Sequence, residues 1–223
     1  MIDIILLIQN FSDAIRMILV HRYGGWYSDL DMVFLRPLVS KGGEPLHNVA
    51  ACDSVDYHLY DDPASKFNFG TGISNAIFHN DAGHVFLKTA IQLFASVFQS
   101  GVWSSSGPTV LSKALEVICG YKKIKTLNPK DHSRKHCSGM AVIEPRSFYS
   151  VNWFFAGVLF DKRQEDYWAA LFNKSYVVHF YGSSSRTIHK RVLRPNQYGR
   201  DKPAYAFLGP DHCPVSFYSA RPF

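Results

Sequence analysis

Tyr23-Gly24-Gly25-Trp26-Tyr27-Ser28-Asp29-Leu30-Asp31-Met32-Val33-Phe34-Leu35 is the stretch on which the reading of this chain turns. The diglycine ends whatever precedes it. The aromatic and β-branched residues that follow predict one strand over 26–35, stopped by Pro37. In a strand, residues i and i+2 share a face, so the carboxylates of Asp29 and Asp31 converge. Two such charges about 4 Å apart repel by roughly 4 kcal/mol at an effective dielectric near 20. Between apolar flanks that arrangement calls for a cation. A hard divalent ion, Mn²⁺ or Mg²⁺, relieves the repulsion and can hold a diphosphate. The Asp-x-Asp triplet alone recurs by chance, so its neighbours must carry the argument.

Upstream, residues 10–23 read as a helix. Ser12 is placed to cap it, Asp13 lies in the first turn, and Gly24-Gly25 close it. Ala14, Ile15, Ile18, Leu19 and Arg22-Tyr23 give one apolar stripe with the spacing of a packed helix. Asp13 and Arg16 stand one turn apart on one side. Beside a metal-diphosphate site they would hold sugar hydroxyls and neutralise phosphate. As an ordinary surface pair they would contribute under about 1 kcal/mol. The opening run Ile4-Ile5-Leu6-Leu7-Ile8 fits a buried strand or the start of a packed helix, and is far short of the ~20 residues a membrane span needs. Asp3 stands where a signal peptide would carry positive charge.

Downstream, 40–68 reads as a surface excursion with one short strand, Asn48 to Ala51. A strand over about 71–79 and a helix over 82–99 follow, the latter opened by Asn80-Asp81. Pro108 fits the first position of a helix over Thr109 to Cys119, closed by Gly120. A basic loop covers 121–138. Val142-Ile143 and Tyr176 to Tyr181 are further strands, and from Gly182 onward loops with room for one short helix are expected. Strands alternating with helices define an α/β fold with a mostly parallel or mixed sheet.

The 223 residues are 47% hydrophobic and 19% charged, which excludes a disordered tail and supports one buried core. Lys plus Arg exceeds Asp plus Glu by 24 − 18 = 6, too mild for a dedicated nucleic-acid binder. Four cysteines at 52, 119, 137 and 213 lack CxxC spacing, so a zinc ribbon is not supported and up to two disulfides are possible. The triplets Asn10-Phe11-Ser12 and Asn173-Lys174-Ser175 are glycosylation acceptors, and together with the cysteines they lean toward a secretory compartment.

Taken together, Phe11-Ser12-Asp13-Ala14-Ile15-Arg16, Tyr23 to Asp31 and Phe34-Leu35-Arg36-Pro37-Leu38 resemble the glycosyltransferases with a DxD sugar-binding region. The resemblance is to the alpha-1,4-galactosyltransferases and alpha-1,4-N-acetylglucosaminyltransferases. The joint pattern SDxxR…YGGxYxDxD is far more specific than DxD. The similarity continues through Trp103 to Leu111, Cys119, Cys137 to Trp153 and Asn173 to His179, with Cys213-Pro214 near the end.

That resemblance implies a GT-A-like fold, a Rossmann-related mixed sheet with flanking helices, here without the first strand-helix unit. It implies a single catalytic domain over 1–223, with its core at 10–181 and a loop-rich segment over 182–223. It implies a retaining hexosyltransferase moving galactose or an N-acetylhexosamine from a UDP-sugar to a glycosphingolipid or glycan acceptor in alpha-1,4 linkage. Asp29, Asp31 and His179 would hold Mn²⁺ (or Mg²⁺), and Asp13 and Arg16, with the two DxD carboxylates, would bind the donor. It further implies a Cys119–Cys137 disulfide, with Cys52 and Cys213 left as a possible second pair. A Golgi-lumen protein with a membrane anchor outside this sequence is expected, glycosylated at Asn173 and less readily at Asn10. No catalytic nucleophile can be named. The chain departs from the family at Ser104-Ser105-Ser106, at Asn75-Ala76 and at Tyr181-Gly182, where the family carries Trp-Asn. The competing readings are a non-catalytic nucleotide-sugar or glycan-binding protein and a magnesium-dependent phosphohydrolase, though the latter carries its acidic motif directly after a first strand.

Overall fold

The computed structural model describes residues 4–53, 72–99, 102, 104–120, 137–182 and 200–219. Its backbone divides into two units, Met1–Asp29 with Val39–Glu144 and Leu30–Leu38 with Pro145–Phe223. The division falls inside the DxD triplet, after Asp29.

In the first unit, helix α1 runs Ile4–Tyr23, beginning well before Ser12. Ser12 is therefore no cap: it lies mid-helix, and its Oγ accepts from Nη2 of Arg16 at 3.1 Å. The apolar stripe lies on the exposed side of the helix. Ile15, Ile18 and Leu19 are 37%, 49% and 50% exposed, whereas Asp13 and Arg16 are buried with Met17 and Val20. The charged side can be buried because its polar groups are partnered, as set out below. Gly24 ends the helix with φ +72°, and its N–H donates to the Val20 carbonyl at 2.8 Å. A Cβ at Gly24 would stand 2.8 Å from the backbone nitrogen of Ala82, so both the left-handed backbone and the close approach require glycine.

Strand β1 (Gly25–Ser28) follows, and β2 (Met32–Phe34) belongs to the other unit. The single strand predicted over 26–35 is thus two strands separated by a turn at 29–31. The reason lies in the backbone hydrogen bonds. The Asp29 N–H donates to Ala76 at 2.8 Å, whereas the Asp31 carbonyl accepts from Phe180 at 2.9 Å, so the chain leaves one sheet and joins another. β3 (Val49–Ala51), β4 (Ile77–Asn80) and β5 (Ala141–Ile143) complete a mixed sheet of order β1-β4-β3-β5, with β3–β5 parallel and the other pairs antiparallel. The strand predicted at 71–79 is shorter than expected, with Ile73 only bridging Cys52.

Helix α2 (Val85–Val97) starts later than predicted. Asn80 belongs to β4, and His84 is the cap, accepting from the Phe86 N–H. Helix α3 (Pro108–Cys119) begins at its proline and closes at left-handed Gly120, as the sequence indicates. Phe78, Phe86, Leu87, Val110, Leu111 and Met140 are fully buried in one apolar cluster, each such side chain contributing about 1.5–3 kcal/mol.

A disulfide joins Cys119 and Cys137, and the basic loop 121–136 between them lies outside the described residues. Closing a loop of this length stabilises by roughly 3 kcal/mol in the chain-entropy model. Replacing both cysteines by serine is expected to lower the urea midpoint accordingly. Reductant should bring the wild type down to the variant and leave the variant unmoved. The second pairing, Cys52 with Cys213, is not formed, and both are free thiols. Cys52 is packed into the first unit's core, where burial pushes its thiol up to about 11, while Cys213 ends a helix of the second unit.

In the second unit, β2 pairs antiparallel with β7 (Val177–His179), Met32 opposite His179. The short strands β6 (Arg163–Gln164) and β8 (Asp201–Lys202) pair beside helix α4 (Glu165–Phe172). Trp168, Leu159, Val178, Ala204 and Leu208 form this unit's core, and Nε1 of Trp168 donates to the Lys202 carbonyl at 2.7 Å. Among the described residues of the segment expected to be loop-rich, Ala204–His212 and Pro214–Ser219 are helical. Gly209 and Pro210 mask the helical period there, although Pro203 and Pro214 stand at the starts, where proline is favoured. Among the described residues no helix is long and apolar enough to cross a membrane.

Candidate functional site

In the first unit, α1 delivers Asp13 and Arg16 to the end of β1, where Asp29 follows Tyr27 by two residues. The Arg16 guanidinium makes four hydrogen bonds and one further ion pair. Nε reaches the Ser12 carbonyl at 3.3 Å, and Nη1 reaches the Asn75 carbonyl at 2.9 Å and Asp29 Oδ1 at 3.1 Å. Nη2 faces Ser12 Oγ at 3.1 Å and Asp13 Oδ1 at 3.2 Å. The guanidinium also lies 4.4 Å from the centroid of the Tyr27 ring. An arginine so completely engaged fixes two carboxylates relative to one another, which an exposed surface pair would not do.

Tyr27 donates its phenol to Asp29 Oδ1 at 2.6 Å. Burial first, and this hydrogen bond second, raise the Tyr27 phenol beyond the ordinary range, so it remains a donor at all working pH. Oδ1 of Asp29 is therefore held by two donors.

Asp13 sits deeper. Nδ2 of Asn75 donates to its Oδ1 at 2.7 Å, and Ser106 Oγ lies 2.7 Å from its Oδ2 and 2.8 Å from Asn10 Oδ1. Gly107 makes room for this: a Cβ there would fall 2.2 Å from Asn75 Nδ2 and 2.8 Å from Asp13 Oδ2. Burial raises the Asp13 carboxyl above its ordinary value and Asp29 adds to this, against the pull of Arg16, Ser106 and Asn75. A raised carboxyl holds its proton more tightly in the folded state than in the unfolded one. Stability thus falls as pH rises from the unfolded value of 3.8 through the folded value, and the penalty is complete above it. Asp13→Asn removes that penalty, because an amide can donate to Ser106 while the serine proton serves Asn10. We expect an unchanged or higher melting temperature for Asp13→Asn above pH 6, with its advantage over wild type shrinking as pH approaches 4. Thermal melts across that range check it.

In the second unit, Asp31 and His179 face each other, Nε2 of the imidazole 3.2 Å from Oδ1 of the carboxylate. Oδ2 accepts the Gly182 N–H at 2.5 Å. Burial alone would raise the Asp31 carboxyl, but the His179 contact and the Gly182 amide outweigh it and hold the group below its ordinary value. The His179 ring packs against Tyr181, 4.0 Å between centroids.

Of the residues expected from the sequence, Asp13, Arg16 and Asp29 thus meet within the first unit, and Asp31 and His179 meet within the second. Tyr27, Asn75, Ser106 and Gly182 join them unannounced. Tyr27 was readable, being two residues before Asp29 on the same strand face. The others come from far along the chain, and nothing local marks them. Of the glycosylation acceptors, Asn173 is exposed at the end of α4, whereas Asn10 is buried inside α1 against Ser106.

Two family models match the chain. The alpha 1,4-glycosyltransferase conserved region matches residues 79–220, and the glycosyltransferase sugar-binding region containing the DXD motif matches residues 2–51. The chain belongs to the alpha 1,4-glycosyltransferase family. It is 26% identical over 175 residues to the alpha-1,4-N-acetylglucosaminyltransferase of Homo sapiens, covering 76% of this chain and 42% of that protein. It is 25% identical over 183 residues to the lactosylceramide 4-alpha-galactosyltransferase of Rattus norvegicus (82% and 43%) and 24% identical over 205 residues to that of Mus musculus (92% and 48%). The chain spans less than half the length of these relatives. No solved structure matches.

Proposed function

We propose that this chain is the catalytic part of a GT-A-like, metal-dependent retaining glycosyltransferase. It moves galactose or an N-acetylhexosamine from a UDP-sugar to a glycosphingolipid or glycan acceptor in alpha-1,4 linkage. The observation that carries this reading is the buried Asp13–Arg16–Asp29 network, which makes little sense as structure alone. Burying Asp13 and Arg16 beside the half-buried Asp29 is expensive, and apolar residues of similar volume are often as stable.

Asp29, Asp31 and His179 are the proposed ligands of Mn²⁺ or Mg²⁺. The donor set suits such an ion: two carboxylates two residues apart and an imidazole, hard oxygens with one nitrogen. When bound, the ion neutralises the diphosphate of the leaving UDP. Arg16 and Tyr27 hold Asp29 Oδ1, which leaves Oδ2 as the oxygen for the ion. Asp13, fixed by Arg16, Asn75 and Ser106, is the proposed acceptor for hydroxyls of the donor sugar. Arg16 takes part through these two carboxylates, since its own N–H groups are engaged.

The Cys119–Cys137 disulfide favours an oxidising compartment, in line with a Golgi-lumen setting, a membrane anchor outside this sequence and a glycan at Asn173. The test is calorimetric titration of the chain with UDP, with and without Mn²⁺, followed by product analysis with UDP-galactose and UDP-N-acetylglucosamine on lactose-terminated acceptors. Mn²⁺-dependent UDP binding with transfer supports the proposal. Binding without transfer to any acceptor would make the chain a nucleotide-sugar binding protein, and no binding would overturn both.

A further inference from the structure

Tyr181 has φ +51°, one of three non-glycine residues in the left-handed region among the described residues. Asn and Asp visit that region readily, but a bulky aromatic does so only against a penalty of about 1–2 kcal/mol. Something must hold it there. The β2–β7 ladder ends with the Phe180 N–H donating to the Asp31 carbonyl at 2.9 Å. An extended residue at 181 would carry the chain on along that ladder. The left-handed turn instead swings the next amide back, and the Gly182 N–H meets Asp31 Oδ2 at 2.5 Å. The turn is anchored from its other side, where the buried phenol of Tyr181 donates to the Val151 carbonyl at 2.7 Å. Gly182 leaves no slack, since a Cβ there would stand 3.2 Å from Asp31 Oδ2 and 3.4 Å from its Cβ.

We propose that Tyr181 and Gly182 are positioning residues for Asp31: the anchored turn pins Oδ2 with a backbone amide, so that Oδ1 and Nε2 of His179 are presented together to an incoming cation. The proposal rests on the reading of Asp31 and His179 as ligands. Strain of this kind collects where a group must be held in place before its partner arrives. In a free carboxylate the two oxygens exchange by rotation. Here the amide contact on one oxygen removes that freedom before binding, and preorganisation of this sort strengthens an interaction without adding a contact.

Two variants of the whole chain, Gly182→Ala and Tyr181→Phe, test it with Mn²⁺ alone as probe. The first pushes on Asp31, and the second cuts the anchor while keeping the ring. Mn²⁺ affinity is read by electron paramagnetic resonance of the free ion, metal-free melting by circular dichroism, and exchange of the Gly182 amide by NMR. We expect tenfold or more weaker Mn²⁺ binding in Gly182→Ala and roughly threefold in Tyr181→Phe, with metal-free melting moved by only a few degrees. The Gly182 amide should be protected in wild type and exchange faster in Tyr181→Phe. Equal Mn²⁺ affinity in all three proteins, affinity lost only in proportion to melting temperature, or an unprotected Gly182 amide overturns the clamp. A wild type that binds no Mn²⁺ while its Gly182 amide is protected overturns the ligand assignment itself, and the positioning role with it.

Discussion

Arg16→Ala should leave the first unit barely folded. Its guanidinium faces Asp13, Asp29, the Asn75 carbonyl and both oxygens of Ser12, with only 9% of the side chain exposed. Removing it strands two carboxylates that already repel each other, since Asp29 contributes to raising Asp13. Deleting one partner of a buried ionic cluster costs about 3–5 kcal/mol, and loss of the contact with the Tyr27 ring adds up to about 2 kcal/mol. Against the roughly 5–15 kcal/mol that holds a domain together, that is a large fraction. Arg16→Lys retains the charge, but one ammonium cannot span acceptors on three segments, so an intermediate loss is expected and not a change of donor binding alone. The diagnostic protein is the double variant Arg16→Ala/Asp13→Asn. Neutralising Asp13 should return part of the loss, making the double variant more stable than Arg16→Ala. Chemical unfolding of the three proteins and wild type measures it. An Arg16→Ala midpoint within experimental error of wild type would show the network to be energetically idle.

The same network explains what could and could not be read from the sequence. The α/β order, helix α3 from its proline to Gly120, and strands β3, β5 and β7 follow from local signals: period, punctuation and β-branched content. Errors cluster around α1 and the DxD turn. Ser12 and Asn10 look like helix-start residues because short polar side chains favour caps. In the fold, their side chains instead bind Arg16 and Ser106. The apolar stripe of α1 lies on its exposed side, and period alone cannot say which side is buried when the polar side carries an ion network. The one-strand reading of 26–35 failed for a related reason. Residue composition sees ten strand-compatible positions, whereas the break at 29–31 is set by two remote backbone partners, Ala76 and Phe180. Ser106 and Asn75 lie 93 and 62 residues from Asp13, beyond any local rule. The sequence thus identified the charged residues but not what holds them, because chemistry is carried by residue type and position is carried by contacts remote in the chain.

Asp29→Asn and Asp31→Asn separate these two roles, charge and position, more cleanly than alanine does. Alanine at 29 would leave the Tyr27 hydroxyl and one Arg16 N–H without their acceptor, and alanine at 31 would strand the Gly182 N–H. Each such orphan costs about 1–3 kcal/mol, so a loss of function could be mistaken for a loss of fold. Asparagine keeps a carbonyl oxygen where those donors point and removes only the negative charge. Both variants should therefore melt within a few degrees of wild type. Mn²⁺-dependent UDP binding, by contrast, requires the charge. Replacing a carboxylate by a neutral amide on a hard divalent ion should weaken it at least about a hundredfold, equivalent to roughly 2.7 kcal/mol. Transfer should fall at least as far, because the same ion would stabilise the departing diphosphate. UDP titrations at fixed Mn²⁺, beside melting curves of the metal-free proteins, give both quantities. Wild-type UDP affinity in either variant would remove that carboxylate from the metal site. Equal UDP affinity with and without Mn²⁺ in the wild type would remove the metal from the mechanism.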